Sequence, residues 1–179
     1  MTTTPAAALS HFGIHVTDLD RMAGFYTRVL GLLVMDRGKL EGGNELCFLS
    51  HDPDQHHQLV LVSGRPPEAT YNVVNQISFK VSALEDLKTM HARVRQEGIK
   101  DFRIVTHGNA WSVYFGDPEG NRVELFVDTP WHTPQPFAEP FDIEAPVDAI
   151  LAETEAICRK RPGFKSRAAW RQEQVARMA

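Results

Sequence analysis

HGNAWSVYFGDPEGNRVELF, residues 107–126, reads as a β-hairpin. Trp111, Val113 and Phe115 alternate with Ser112 and Tyr114 in a first strand. Asp117-Pro118-Glu119-Gly120 makes a tight turn, and Asn121 to Val127 forms the return strand. Glu124 stands in that strand among Val123, Leu125 and Phe126. A carboxylate at such a position is costly unless partnered, so it is a candidate for aiming at a cation.

Working outward, the hairpin is the end of a repeated unit. Leu9 to Val16 alternates with period two, which sets His11, Gly13 and His15 on one face and Phe12, Ile14 and Val16 on the other. Asp18 can cap a helix carrying Met22, Phe25, Tyr26, Val29 and Leu30, which Gly31 stops. Leu32 to Asp36, Glu45 to Ser50 and His57 to Ser63 then read as three strands, giving βαβββ. Asn75 to Val81 is again a strand, Leu84 to Gln96 again a helix with Leu87, Met90 and Val94 inward, and Gly98 again the stop before three more strands. Val81 and Val16, Leu84 and Leu19, Val94 and Val29, and the turns at Asp117 and Asp52 are each 65 residues apart.

The expected fold is therefore α+β: two βαβββ modules in tandem, pairing into an open, cupped mixed sheet around a central site, with a helical C-terminal extension. The divisions are an N-terminal arm 1–8, a first module 9–63, a linker 64–74, a second module 75–127 and an extension 128–179. Pro130, Pro134, Pro136 and Pro140 keep the start of the extension out of any central strand. Helices are expected over Val147 to Arg159 and Ser166 to Met178, with Trp131, Phe137, Phe141 and Trp170 as anchors against the same domain or a neighbouring subunit.

Composition narrows the function classes. The chain has 179 residues, 42% hydrophobic and 23% charged, with a net charge of -4. That balance gives no reason to expect nucleic acid as a partner. No apolar run approaches the ~20 residues that span a bilayer, and Met1 to Ser10 lacks a leader pattern, so a soluble, cytoplasmic protein without a membrane partner is expected. Two cysteines, Cys47 and Cys158, make no disulfide framework.

Equivalent positions in two facing modules are expected to converge. By the 65-residue offset Gln76 corresponds to His11 and Glu124 to Leu59. Three of four such positions thus carry possible metal ligands, His11, Gln76 and Glu124, and a three-ligand site leaves open coordination positions for substrate or a gas.

HFGIHVTDL, GFYTRVLGL, NQISFKV and YFGDPEGNRVEL together resemble the vicinal oxygen chelate superfamily, which includes glyoxalase I, fosfomycin and bleomycin resistance proteins and extradiol ring-cleavage dioxygenases. The resemblance spans Leu9 to about Val127, and DQHHQLVLV is most similar to the one-domain extradiol dioxygenases, as is the TPWHTPQPF tail. It implies cleavage of a small aromatic diol by O2 at Fe(II), with Mn, Zn or Ni as other metals. It implies His57 as acid/base residue and Tyr114 as the group that orients the diol. His15, His56, His107 and Asn109 are the further candidates for substrate contact, and strand parity alone does not choose between His56 and His57. The chain departs from the dioxygenase pattern at Gln76, where that pattern has a second histidine; a glutamine oxygen is a neutral and weaker ligand. Three readings stay open: an extradiol dioxygenase, another metal-assisted lyase, isomerase or hydrolase, and a metal-free ligand-binding or resistance-type module. A homodimer is expected.

Overall fold

The computed structural model describes residues 7–178, so the expected N-terminal arm lies outside the described residues except for Ala7 and Ala8. The chain divides into two compact units, one running through Val73 and including Asp117–Gly120, the other comprising the remainder. Each holds an open mixed sheet, and the described residues contain four α-helices and no closed barrel.

In the first unit β1 (Phe12–Val16), β2 (Leu33–Lys39), β3 (Glu45–Ser50) and β4 (Leu59–Ser63) form a sheet of order β1-β4-β3-β2. β1 and β4 run parallel, and the other pairs are antiparallel. Helix α1 (Leu19–Leu30) starts where the Asp18 carboxylate accepts the Arg21 N–H at 3.0 Å and stops at Gly31, whose φ of 73° suits a residue without a Cβ. Its buried Met22, Phe25, Tyr26 and Val29 pack on β3 and β4, whose Cys47, Leu49, Leu59 and Leu61 are fully buried.

The Asp117–Gly120 turn does more than reverse the chain. The Glu119 carboxylate accepts the backbone N–H of Thr17 at 2.8 and 2.9 Å and that of Asp18 at 2.8 Å. Arg65 lies 3.7 Å from the same carboxylate, and the Tyr26 hydroxyl donates to Asp117 Oδ2 at 2.9 Å. Burial, reinforced by Asp117, raises the Tyr26 hydroxyl well above its ordinary range, so it stays a donor.

In the second unit β5 (Ile77–Lys80), β6 (Arg103–Thr106), β7 (Ala110–Gly116) and β8 (Arg122–Asp128) repeat the arrangement, with β5 parallel to β8. Helix α2 (Leu84–Gln96) packs on β7 and β8. Its buried face is Leu84, Leu87, His91 and Val94; Met90, expected inward, is half-buried, and a histidine takes the deeper place. After β9 (Trp131–His132), β10 (Glu139–Pro140) joins the open edge of β6, where the proline's missing N–H costs nothing.

Helices α3 (Val147–Arg159) and α4 (Arg167–Met178) follow, separated by β11 (Lys165–Ser166), which pairs with β9. The extension packs on this same unit: Trp111 Nε1 donates to Thr154 Oγ1 at 2.9 Å, and Lys88 Nζ donates to the Ile143 and Ala145 carbonyls at 2.7 and 2.5 Å. Of the expected anchors Trp131 and Phe137 are buried, and Phe141 and Trp170 half-buried.

The constant 65-residue offset needs correction. Gly31 and Gly98, both at positive φ, are 67 residues apart. Phe12 pairs with Leu59 but Ile77 with Val123, so the parallel register is one residue shorter in the second module. A one-residue slip exchanges the faces of a strand. The structural counterpart of Glu124 is therefore Val60, and Leu59 points at α1. The strands expected from Leu9, His57 and Asn75 begin at Phe12, Leu59 and Ile77, which leaves His11, His57 and Gln76 just ahead of them.

Candidate functional site

Sheet register in the second unit lines up four side chains. Ser78 pairs with Glu124, Glu124 with Tyr114, and Tyr114 with Arg103, a single row across β5, β8, β7 and β6. Paired positions share a face, and the intervening Val113, Val123 and Leu125 take the opposite face toward α2, where they are buried. The matching row in the first unit is Gly13, Val60, Phe48 and Asp36, with no carboxylate at the Glu124 position.

Glu124 is 6% exposed. Its Oε2 accepts from the Gln76 amide at 2.7 Å and from the Ser78 hydroxyl at 2.5 Å, and the Gln76 amide also meets Ser78 Oγ at 3.0 Å. These donors are neutral. A buried carboxylate held by neutral donors keeps its charge uncompensated, which is the electrostatic condition for taking up a cation. The surrounding oxygens, carboxylate, amide and hydroxyl, suit hard to borderline divalent ions.

Tyr114 is tied to the C-terminal extension through His107. His107 Nδ1 lies 2.8 Å from the Phe137 carbonyl, which can only accept, so Nδ1 carries the proton. In the neutral ring Nε2 then accepts from the Tyr114 hydroxyl at 2.9 Å. Burial first, then the Glu124 carboxylate, pushes that hydroxyl up to about 12, so it remains protonated at neutral pH. The Arg103 guanidinium lies over the Tyr114 ring, 5.6 Å from its centroid. Asn109 is held away from this chain of contacts, taking the Gln135 amide at 3.3 Å.

The first unit gathers histidines. The His57 and His11 rings meet edge to face at 4.1 Å, and both His56 and His57 pack against Phe48, at 5.5 and 5.1 Å. His57 is half-buried while His56 is exposed, its Nε2 3.9 Å from Asp36. Strand parity left the two unresolved because both precede β4. Burial, then the neighbouring His11 and His56, hold the His57 imidazole below its ordinary value. His15 is exposed on β1.

Sequence reasoning missed Ser78 and Arg103. Ser78 had a signal, since it lies two residues beyond Gln76 on the same strand face. Arg103 had none, because its alignment with Tyr114 depends on cross-strand register. Among the described residues no three His, Cys, Asp or Glu side chains gather closely enough to hold a metal ion by themselves, and no helix is long and apolar enough to cross a membrane.

Known proteins agree with this architecture. The profile of the Glyoxalase/Bleomycin resistance protein/Dioxygenase superfamily matches residues 8–125. A biphenyl-2,3-diol 1,2-dioxygenase of Rhodococcus globerulus is 35% identical over 133 residues, which cover 72% of this chain and 66% of that one. The chain thus spans just under two thirds of that relative's length. A glyoxalase/bleomycin resistance protein/dioxygenase domain from Frankia sp. EAN1pec superposes with a TM-score of 0.60 at 21% identity, covering 70% of this chain and 100% of that one. The fosfomycin resistance protein FosX of Listeria monocytogenes, solved with Mn(II) and sulfate, gives 0.54 at 20% identity, covering 70% and 95%. At these identities the two structures show the fold alone.

Proposed function

The chain belongs to the Glyoxalase/Bleomycin resistance protein/Dioxygenase superfamily, and from that premise we propose that it is a metal-dependent dioxygenase cleaving a small aromatic diol with O2. The observation that carries the reading is the Glu124 carboxylate, buried, held by neutral donors and paired across the sheet with a protonated tyrosine. The 35% identity to a biphenyl-2,3-diol dioxygenase supports the choice of substrate class.

The proposed ligands in the second unit are Gln76 and Glu124, and His11 is proposed as the third solely because the sequence resemblance implies it. The donor set fits Fe(II) and also admits Mn, Zn or Ni. When bound, the metal would supply Lewis acidity toward the diol and a meeting place for diol and O2. Gln76 turns its amide donor to Glu124, which leaves its carbonyl oxygen as the atom able to ligate. Tyr114, protonated and with its O–H given to His107, accepts from a diol hydroxyl through its remaining lone pair and so orients the ring. His57, with a ring nitrogen that stays unprotonated at neutral pH, is the proposed base for the diol proton and later its donor. The apolar wall at Val113, Val123 and Leu125 fixes the strands that carry these groups.

We further propose self-association as a homodimer in the cytoplasm. Edge strand β2 is exposed along its length, with Leu33 62%, Val34 43% and Met35 42% open. Sedimentation of a monomer at micromolar concentration contradicts it.

The test is anaerobic titration with Fe(II), followed by elemental analysis. One ion per chain is expected, with affinity lowered at least about tenfold in Glu124→Gln and His11→Ala. Equal uptake by all three proteins, or none after reconstitution, overturns the ligand assignment.

A further inference from the structure

We infer that the diol taken by this site carries an anionic substituent, recognised by Arg103. The inference rests on the proposed function and adds the substrate's charge and the place that reads it.

Arg103 ends the row that begins at Ser78. Glu124 and Arg103 are separated by two interstrand steps, about 10 Å, with the Tyr114 ring between them and the guanidinium lying over it. A diol addressed to the Glu124 end and oriented by Tyr114 therefore extends its far edge toward Arg103. Among the described residues Arg103 forms no ion pair, whereas Arg95, Arg159 and Arg167 of the same unit each do. Its charge is offered to whatever enters.

The space is there. At the Arg103 end of the row lies a cavity of about 610 Å³, lined by Arg103, His107, Gln135, Pro136, Phe137 and Ala138, with room for a substituent reaching past Tyr114. The Phe137 ring that lines it has the Arg161 guanidinium 5.0 Å from its centroid. No aspartate or glutamate lines it. Arginine pairs with carboxylate through two parallel hydrogen bonds, which adds direction to charge. The row also keeps the substituent's charge two strands from Glu124, so the two carboxylates do not collide. The substrate class that fits is a carboxylated catechol, with the acid at the ring edge opposite the diol, directly attached or through a short linker.

The experiment is anaerobic calorimetry on the Fe(II)-loaded protein with four probes: catechol, 2,3-dihydroxybiphenyl, 3,4-dihydroxybenzoate and 3,4-dihydroxyphenylacetate, repeated with Arg103→Gln. The expected result is that one of the two acids binds at least tenfold tighter than catechol, and that this ratio falls to about one in the variant. Raising salt should narrow the ratio in the unsubstituted protein and leave the variant's ratio unmoved. Equal binding of acids and neutral diols, preference for 2,3-dihydroxybiphenyl over both acids, or an acid preference that survives Arg103→Gln overturns the inference and leaves the dioxygenase reading standing. If none of the four binds, both fall.

Discussion

Tyr114 and Glu124 are direct cross-strand partners on β7 and β8, so a phenol kept protonated and a buried carboxylate stand side by side on one sheet face. The carboxylate itself helps keep the phenol protonated. Replacing Tyr114 by phenylalanine leaves Glu124, Gln76 and Ser78 in contact and removes only the hydroxyl. Metal content is expected to be unchanged while turnover of a diol falls about 100-fold; elemental analysis and steady-state kinetics on one preparation check it.

Glu119 is a structural residue within a turn that looks from sequence like a surface reversal. Its carboxylate serves two backbone N–H groups at the start of α1 and is only 8% exposed beside Arg65. Glu119→Ala should cost about 1–2 kcal/mol of unfolding free energy, since it leaves two backbone donors ahead of α1 and a largely buried arginine without their acceptor. Urea denaturation measures this, and an unchanged midpoint would show the clamp to be idle.

Gly108 stands at φ +76°, and a Cβ there would come within 2.7 Å of the Thr133 side chain, which is fully buried. Gly108→Ala combines left-handed strain with overpacking, about 3 kcal/mol in total. Because this loop holds His107, the variant should also lose diol affinity, by calorimetry, before it loses folded structure by circular dichroism.

His91 gives the fold a pH dependence. Burial lowers its imidazole below the ordinary 6.5, with Arg95 adding and Glu144 opposing. The unfolded chain therefore takes up the proton first as pH falls, and the folded state is disfavoured below about pH 6.5, by up to about 1.4 kcal/mol per pH unit. Thermal unfolding between pH 7.5 and 5 should show this slope, and His91→Phe, which keeps the ring against Phe102, should reduce it.

The helices were legible because amphipathic spacing and caps act locally: Asp18 and Gly31 bound α1, and α2 and α3 run over the expected residues. The strands and Glu124 were legible from alternation. Register was not. The assignment of Leu59 as the counterpart of Glu124 failed by one residue because turn positions and strand pairings need not share one offset. Arg103 and Glu119 act through partners on other strands or on α1, and no local pattern announces such pairs. His56 and His57 were separated only by burial, since neither lies within a strand.

The most direct test is oxygen uptake by the Fe(II)-loaded protein supplied with catechol, 2,3-dihydroxybiphenyl and the two carboxylated catechols, with Glu124→Gln alongside. The expected result is one O2 consumed per diol, with a yellow ring-opened product, abolished in the variant. Stoichiometric iron and a bound diol without oxygen uptake would contradict the dioxygenase reading and move the protein to another metal-assisted chemistry of its superfamily.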